Sequence, residues 1–196
     1  MFFRLAMTAA AVAFLAAPAS AQTWKIDGAH SSAEFTVRHM MVSNVKGSFG
    51  KVEGTIVYDG TNVGGVQAEA TIDATTITTN NAKRDAHLKS PDFFDAASFP
   101  TITFKSKRAE PVGAGKFRLI GDLTMRGTTK EVVLDVEGPT DPVTVQNSQR
   151  IGATATTTLN RKDYGVNWSR TMDGGGVVVS DEVKVILELE LIKQTS

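Results

Sequence analysis

The segment EFTVRHM, residues 34–40, decides the fold class of this 196-residue chain. Its apolar and polar positions alternate, so that Phe35, Val37 and His39 share one face and the residues between them share the other. Alternation with a period of two places successive side chains on opposite faces of a β-strand. The segment is therefore predicted to be a strand with one apolar face.

The same alternation recurs along most of the chain, between short glycine-containing turn signals such as Asp59-Gly60 and Arg126-Gly127. Such spacing favours antiparallel hairpins over crossover helices. About eight strands of this kind can close into a barrel or fold into a sandwich. Glycines and alanines on the predicted inner faces favour a barrel with free interior volume. The alternating segments are VEGTIVY (52–58), AEATIDATTI (68–77), TITFKSK (101–107), KFRLIGDLTM (116–125), EVVLDVEG (131–138), RIGATATTTLN (150–160) and EVKVILELEL (182–191).

Residues 1–21 are predicted to be a signal peptide. An apolar run from Leu5 to Ala17 ends in Pro18 and a small-residue pattern, after which cleavage at Ala21 is expected. The run is shorter than the roughly 20 residues of a spanning helix, so export to the periplasm is expected rather than a stable membrane anchor. Residues 22–196 would then form one domain.

The composition excludes several classes of function. The chain has no cysteine, so disulfides and thiolate metal sites are excluded. Its 21 basic and 21 acidic residues are intermixed, which is not the pattern of a nucleic-acid-binding protein. The strands lack a GxSxG elbow and the glycine-rich stretches lack the order of a phosphate-binding loop, so these stretches are predicted to be hairpin turns.

The stretch RDAHLKSPDFFDAASFP, residues 84–100, offers the most chemistry, because carboxylates lie near an imidazole. However, His87 and Asp85 are two residues apart and would point apart on a helix. We therefore predict a short helix that ends at Ser90-Pro91, with Arg84 bracing a loop and with Asp85 and Asp92 bonded to backbone. The phenylalanines Phe93, Phe94 and Phe99 are predicted to close or line one end of the strand assembly.

Several long motifs occur together in one order: WKIDGAHSSAEFTVRHM (24–40), VKGSFGKVEGTI (45–56), RDAHLKSPDFFDAASFPTITFKS (84–106), LIGDLTMRGTTKEVVL (119–134) and LNRKDYGV (159–166). With these motifs the chain resembles the YceI-like family of exported bacterial proteins. The resemblance implies an all-β, lipocalin-like, extended antiparallel barrel of eight strands with a short helix. It also implies a polyisoprenoid, a quinone or another long-chain lipid as partner, a link to stress responses, and for some members a homodimer.

We therefore expect a non-enzymatic binding protein that holds a long-chain amphiphile for transport, storage or a stress response. No cofactor, no metal ion, no catalytic residue and no nucleic-acid partner are expected. Arg38 and Arg170 are predicted to contact the lipid head group at the rim. The predicted wall of the lipid-binding cavity consists of Phe35, Val37, His39, Phe49, Ile56, Ile72, Phe104, Leu123, Met125, Ile151, Leu159 and Trp168.

Two alternatives stay open at this point. One is a lipid-modifying enzyme that uses His30 or His39 with a nearby carboxylate. The other is a stress-induced module that binds protein partners through its surface and whose interior is a packed core. An open apolar interior would favour the lipid-binding hypothesis over the packed one.

Overall fold

The computed structural model describes residues 21–173 and 175–195, and this part of the chain forms one twelve-stranded sheet and one α-helix. The helix α1, Ala82–Lys89, lies between β6 and β7, and short 3-10 turns occupy Val63–Gly65, Ala74–Thr76 and Arg161–Tyr164. The strands are β1 Gln22–Ile26, β2 Ser32–His39, β3 Ser43–Phe49, β4 Val52–Tyr58, β5 Gln67–Asp73, β6 Ile77–Thr78, β7 Thr101–Gly113, β8 Lys116–Met125, β9 Thr128–Glu137, β10 Val143–Val145, β11 Ser148–Asn160 and β12 Val179–Lys193.

Eight of the strands close into a barrel. Antiparallel pairings run from β1 through β4, β5, β7, β8, β9 and β11 to β12, and β12 pairs with β1 to complete the ring. This closure confirms the predicted all-β, eight-stranded antiparallel barrel with a short helix.

The barrel is extended because three of its strands continue beyond a short interruption. Both β1 and β2 pair with β12, with Ile26 opposite Leu191 and Ser32 opposite Glu188. In the same way β3 continues into β4, and β5 continues into β6. The added part, made of β2, β3 and β6, lies at the end of the barrel that also carries α1, and we call it the helix end.

Helix α1 ends where the sequence predicts, before Ser90-Pro91. The Asn81 side chain accepts a hydrogen bond from the Arg84 N–H at 3.0 Å, which is a helix N-cap, and the helix stops before Ser90. Asp85 accepts bonds from the backbone N–H of Thr79 at 2.8 Å and from its hydroxyl at 2.5 Å. Arg84 donates to the Thr79 hydroxyl at 2.7 Å and to its carbonyl at 3.0 Å, so it braces this loop as predicted.

The phenylalanine-rich corner after α1 is partly as predicted. Phe93 is buried, and the ring of Phe94 packs edge-on against Phe49 with 5.7 Å between centroids. Phe99 is 36% exposed and lies against Gly127 on the outside, so the prediction that it closes the barrel is wrong. The proline that follows Phe99 leads directly into β7, which turns the ring away from the interior.

The predicted signal peptide lies outside the described residues except for Ala21. Within the described ranges no helix is long and apolar enough to cross a bilayer.

A candidate lipid-binding cavity

An apolar cavity of about 640 Å³ occupies the interior of the barrel. Its wall is formed by the inward-facing residues of every barrel strand, and these are the faces that the period-two alternation predicts. The interior is therefore open, and the hypothesis of a fully packed core does not fit this structure.

Alanine and glycine residues in the wall keep the cavity open. Ala70 and Ala153 stand where larger side chains would fill the space. A Cβ atom at Gly121 would lie 2.6 Å from the Phe104 ring, and one at Gly47 would overlap the Phe35 ring. Glycine at these two positions lets both rings pack back against the wall instead of crossing the cavity.

The end of the cavity opposite α1 is lined by buried side chains. There the wall residues Val66, Phe117 and Val136 are buried and pack together in one cluster. At the helix end the wall includes exposed side chains, among them Asn81 and Lys83. The cavity therefore opens at the helix end.

The structure brings together every residue that the sequence predicts for the cavity wall. Whether they bind lipid stays a prediction. The predicted wall residues that line the cavity are Phe35, Val37, His39, Phe49, Ile56, Ile72, Phe104, Leu123, Met125, Ile151, Leu159 and Trp168.

The two predicted rim cations lie outside the cavity. Arg38 is exposed and donates hydrogen bonds to the Met41 carbonyl at 2.9 Å and to the Asn44 side chain at 3.3 Å. Arg170 is exposed in the segment that precedes β12. Neither side chain lines the wall, because Arg38 follows Val37 on β2 and so points to the opposite face.

Other polar groups line the helix end of the cavity instead. Thr79, Asn81, Lys83, Arg84 and His87 come from the loop before α1 and from α1 itself. Two of the five are cations, and an otherwise apolar cavity thus has one polar and basic end. Sequence alternation could not reveal this set, because it belongs to the helical segment rather than to a strand.

His87 forms an imidazole–carboxylate pair beside this opening. Its Nε2 lies 2.9 Å from the Asp92 carboxylate, so Asp92 bonds to a side chain and not to backbone as predicted. The ring packs edge-on against Phe93 and Trp168, with centroids 5.0 and 5.2 Å away. These contacts fix the orientation of the imidazole at the cavity wall.

Arg161 is a buried cation in the wall at the helix end. It is 5% exposed and donates to the carbonyls of Val166 at 2.6 Å, Trp168 at 2.8 Å and Ser180 at 2.9 Å. Burial lowers the pKa of this guanidinium, and the nearby Asp181 opposes that effect. The sequence indicates this position, because Arg161 continues the odd-numbered inner face of β11.

His30, the other histidine of the enzyme hypothesis, lies outside the cavity wall. Its Nδ1 is 2.9 Å from Asp27, and Asp27 also accepts from the Arg150 guanidinium at 2.8 Å. Asp27, His30 and Glu190 are close enough together to hold a metal ion. However, Arg150 bonds to both Asp27 and Glu190, so a guanidinium already lies between the two carboxylates and offsets one of their two negative charges.

A closed antiparallel barrel around an apolar cavity defines the structural class of the protein, a cavity-containing β-barrel of the architecture that lipocalins represent. The YceI-like domain matches residues 24–191, and the chain belongs to this family. A UPF0312 protein of Staphylococcus aureus is 40% identical over 159 residues, which cover 81% of this chain and 90% of that protein.

Solved structures share the fold. The YCEI protein of Campylobacter jejuni is 28% identical, with a TM-score of 0.70 over 80% of this chain and 90% of that one. BcnA of Burkholderia cenocepacia is 23% identical, with a TM-score of 0.71 over 84% and 98%. A polyisoprenoid binding domain from Saccharophagus degradans, implicated in plant cell wall breakdown, is 16% identical, with a TM-score of 0.62 over 88% and 99%.

Proposed function

We propose that this protein is an exported, non-enzymatic carrier or store that holds the apolar chain of a long-chain amphiphile inside its barrel. The observation that carries the proposal is the apolar cavity of about 640 Å³, which has buried apolar side chains at one end and polar and basic side chains at the other. A pocket in this size range is typical of small-molecule sites. A solved domain of the same fold is described as polyisoprenoid-binding, which supports the same ligand class.

The two ends of the cavity fit the two parts of an amphiphile. Each CH₂ group that moves from water into the cavity contributes about 0.8 kcal/mol, so a long tail binds without polar contacts. The polar head then lies at the helix end, where Lys83 and Arg84 supply hydrogen-bond donors. A polyprenyl phosphate and a quinone both fit this division, and both are acceptable ligands under the proposal.

The place of action is part of the proposal. The charged start, short apolar run and small-residue site of residues 1–21 support export to the periplasm. Transport, storage and a role in stress would all require the same lipid-bound form of the protein. N-terminal sequencing of protein from its own host tests the location, with Gln22 as the expected first residue.

The binding proposal is tested by filling the cavity. Ala70 lines the cavity, while its neighbour Thr71 is exposed on the outside of the same strand. We expect Ala70→Phe to abolish co-purification of lipid, because the new ring occupies the space of the tail. Thr71→Phe adds the same ring outside and is the matched control, which should keep the lipid. Native mass spectrometry of protein purified from its own host measures both.

Lipid retained by Ala70→Phe at the level of the control would contradict binding in the cavity. An unliganded wild-type protein that also fails to take up added polyprenol would contradict the proposal as a whole.

A further inference from the structure

The turn between β2 and β3 carries three consecutive exposed apolar residues. Met40 is 44% exposed, Met41 57% and Val42 74%. We call Met40, Met41 and Val42 the apolar tip. Three adjacent exposed apolar side chains at a hairpin turn are unfavourable in water unless they serve a function.

The backbone conformation of the tip also disfavours methionine. Met40 and Met41 have φ angles of 49° and 59°, and the Val42 N–H donates to the His39 carbonyl at 3.1 Å. Three residues thus connect the paired His39 and Ser43, and the first two have left-handed backbone, which glycine and asparagine adopt most readily. The turn itself therefore does not explain the two methionines.

Two other tight turns between strands have residues that suit left-handed backbone. The turn between β8 and β9 has Arg126 and Gly127 at φ angles of 51° and 72°, and the turn between β10 and β11 has Gln146 and Asn147 at 49° and 65°. Both have a glycine or an asparagine at the second position, and neither carries an apolar side chain. The methionines of the apolar tip thus serve a contact outside the turn.

The apolar tip stands beside the opening of the cavity. His39, which precedes it, lines the cavity wall, and so does Val178, whose carbonyl accepts the Met40 N–H at 2.9 Å. Met41 and Met172 both approach Gly176 in the neighbouring loop, which extends the apolar surface. A surface that contacts the tip therefore also faces the opening.

Exposed cations surround the base of the tip. The Arg38 guanidinium is held there by its bonds to the Met41 carbonyl and to Asn44, which use two of its five N–H donors. Lys46 is exposed on β3, and Arg170 is exposed where its carbonyl accepts the Val178 N–H at 2.9 Å. The adjoining loop also carries one acid, Asp173. Free guanidinium donors beside an apolar tip match phosphate groups at the surface of a bilayer.

We propose that the apolar tip inserts into a bilayer that contains anionic phospholipids, with Arg38, Lys46 and Arg170 contacting the lipid phosphates. Docked in this way, the opening of the cavity faces the membrane from which a water-insoluble tail enters, and this last step rests on the proposed function. The occupant is thus a lipid surface. A second copy of the chain is the alternative occupant that the experiment must exclude.

The experiment measures sedimentation of the full chain with vesicles of phosphatidylethanolamine and phosphatidylglycerol, and with vesicles of phosphatidylcholine alone. The double variant Met40→Asn with Met41→Gly places residues that favour left-handed backbone at both positions, so it should fold at least as stably as the wild type. We expect its partitioning onto the anionic vesicles to fall about tenfold. We also expect the wild type to bind the neutral vesicles more weakly.

The matched control removes exposed apolar groups from the opposite end of the barrel. Val143 and Val145 on β10 are 60% and 47% exposed, and the variant Val143→Thr with Val145→Thr should bind vesicles like the wild type. Equal binding by the tip variant and the wild type would overturn the proposal. A wild-type dimer that becomes a monomer in the tip variant, with no vesicle binding by either, would overturn it in favour of self-association.

Failure of the proposed function gives a different result. Binding of detergent-dispersed polyprenol, measured without vesicles, reports the cavity alone. The tip variant should keep this binding, because no tip residue lines the cavity. Vesicle binding without polyprenol binding would contradict the cavity proposal and leave the docking surface supported.

Discussion

Asp27 and His30, which lie between β1 and β2, form a contact that depends on pH. Hydrogen bonds from His30 and then from Arg150 lower the pKa of Asp27 to about 2 from its ordinary 3.8. The hydrogen bond to Asp27 is the main cause that raises the pKa of His30 above 6.5. Both shifts mean that folding favours the charged form of each partner.

The two shifts stabilise the fold over opposite ranges of pH. The stability from Asp27 is present above pH 3.8 and is lost as the pH falls towards 2. The stability from His30 is present below pH 6.5 and is lost as the pH rises through its raised value in the folded protein. The pair therefore contributes fully only between about pH 4 and 6.5.

We predict that Asp27→Asn lowers the pKa of His30 towards its ordinary value, because the acceptor of the main hydrogen bond loses its charge. NMR titration of the histidine ring measures this pKa directly. Urea denaturation of wild type and His30→Ala should differ most between about pH 4 and 6.5. A His30 pKa that is the same in Asp27→Asn and wild type would show that the contact does not control the titration.

At the scale of the element, the turn Arg161–Tyr164 fastens the loop that carries Trp168 to the start of β12. The Arg161 guanidinium makes this connection, because it donates to carbonyls of the loop and of the start of β12. The neighbouring Tyr164 is 2% exposed, and burial raises the pKa of its hydroxyl to about 12. Arg126 plays a similar part nearby, donating to the carbonyls of Phe93 and Gly165 at 3.0 and 2.6 Å.

We predict that Arg161→Met lowers the free energy of unfolding by about 3 kcal/mol, since it leaves several buried carbonyls without a donor. Lys162→Met is the matched control, because Lys162 is adjacent and exposed and carries the same charge. Its single ion pair with Asp181, 2.9 Å long, is worth at most about 1 kcal/mol. Urea denaturation measures both variants, and losses of equal size would refute the role of Arg161.

The strands and their inner faces could be predicted from the sequence, because a period of two fixes which side of a strand each residue takes. Phe35 and Leu159 line the cavity for this reason. The same rule places Arg38 on the outer face, away from the cavity wall, and its contact with a lipid head group stays a prediction. The polar end around Lys83 depends on how α1 packs across the barrel, and no local pattern encodes that packing.

At the scale of the whole molecule, the volume of the cavity limits the length of tail that it encloses. The volume of about 640 Å³ is about four times that of an engineered cavity of about 150 Å³ that holds one benzene. By that comparison it accommodates about 25 carbon atoms, or about five isoprene units.

We therefore predict that affinity rises with the length of a polyprenol up to about five isoprene units and then levels off, because further units stay outside in water. Displacement of a fluorescent fatty probe across a length series measures the affinity. Affinity that keeps rising well beyond this length would show that the tail binds along a longer surface than the cavity.

The strand β12 completes the ring through contacts between distant parts of the chain. Along one edge it pairs with β11, and along the other it pairs with β2 and β1, so that Trp24 lies opposite Lys193. β1 and β2 come before every other strand of the described residues and the 15-residue β12 comes after them, so these pairings join the strands that are most distant in sequence. The ring therefore cannot close before these long-range contacts form. Contacts between distant parts of a chain also form slowly, in the range of milliseconds to seconds for all-β domains.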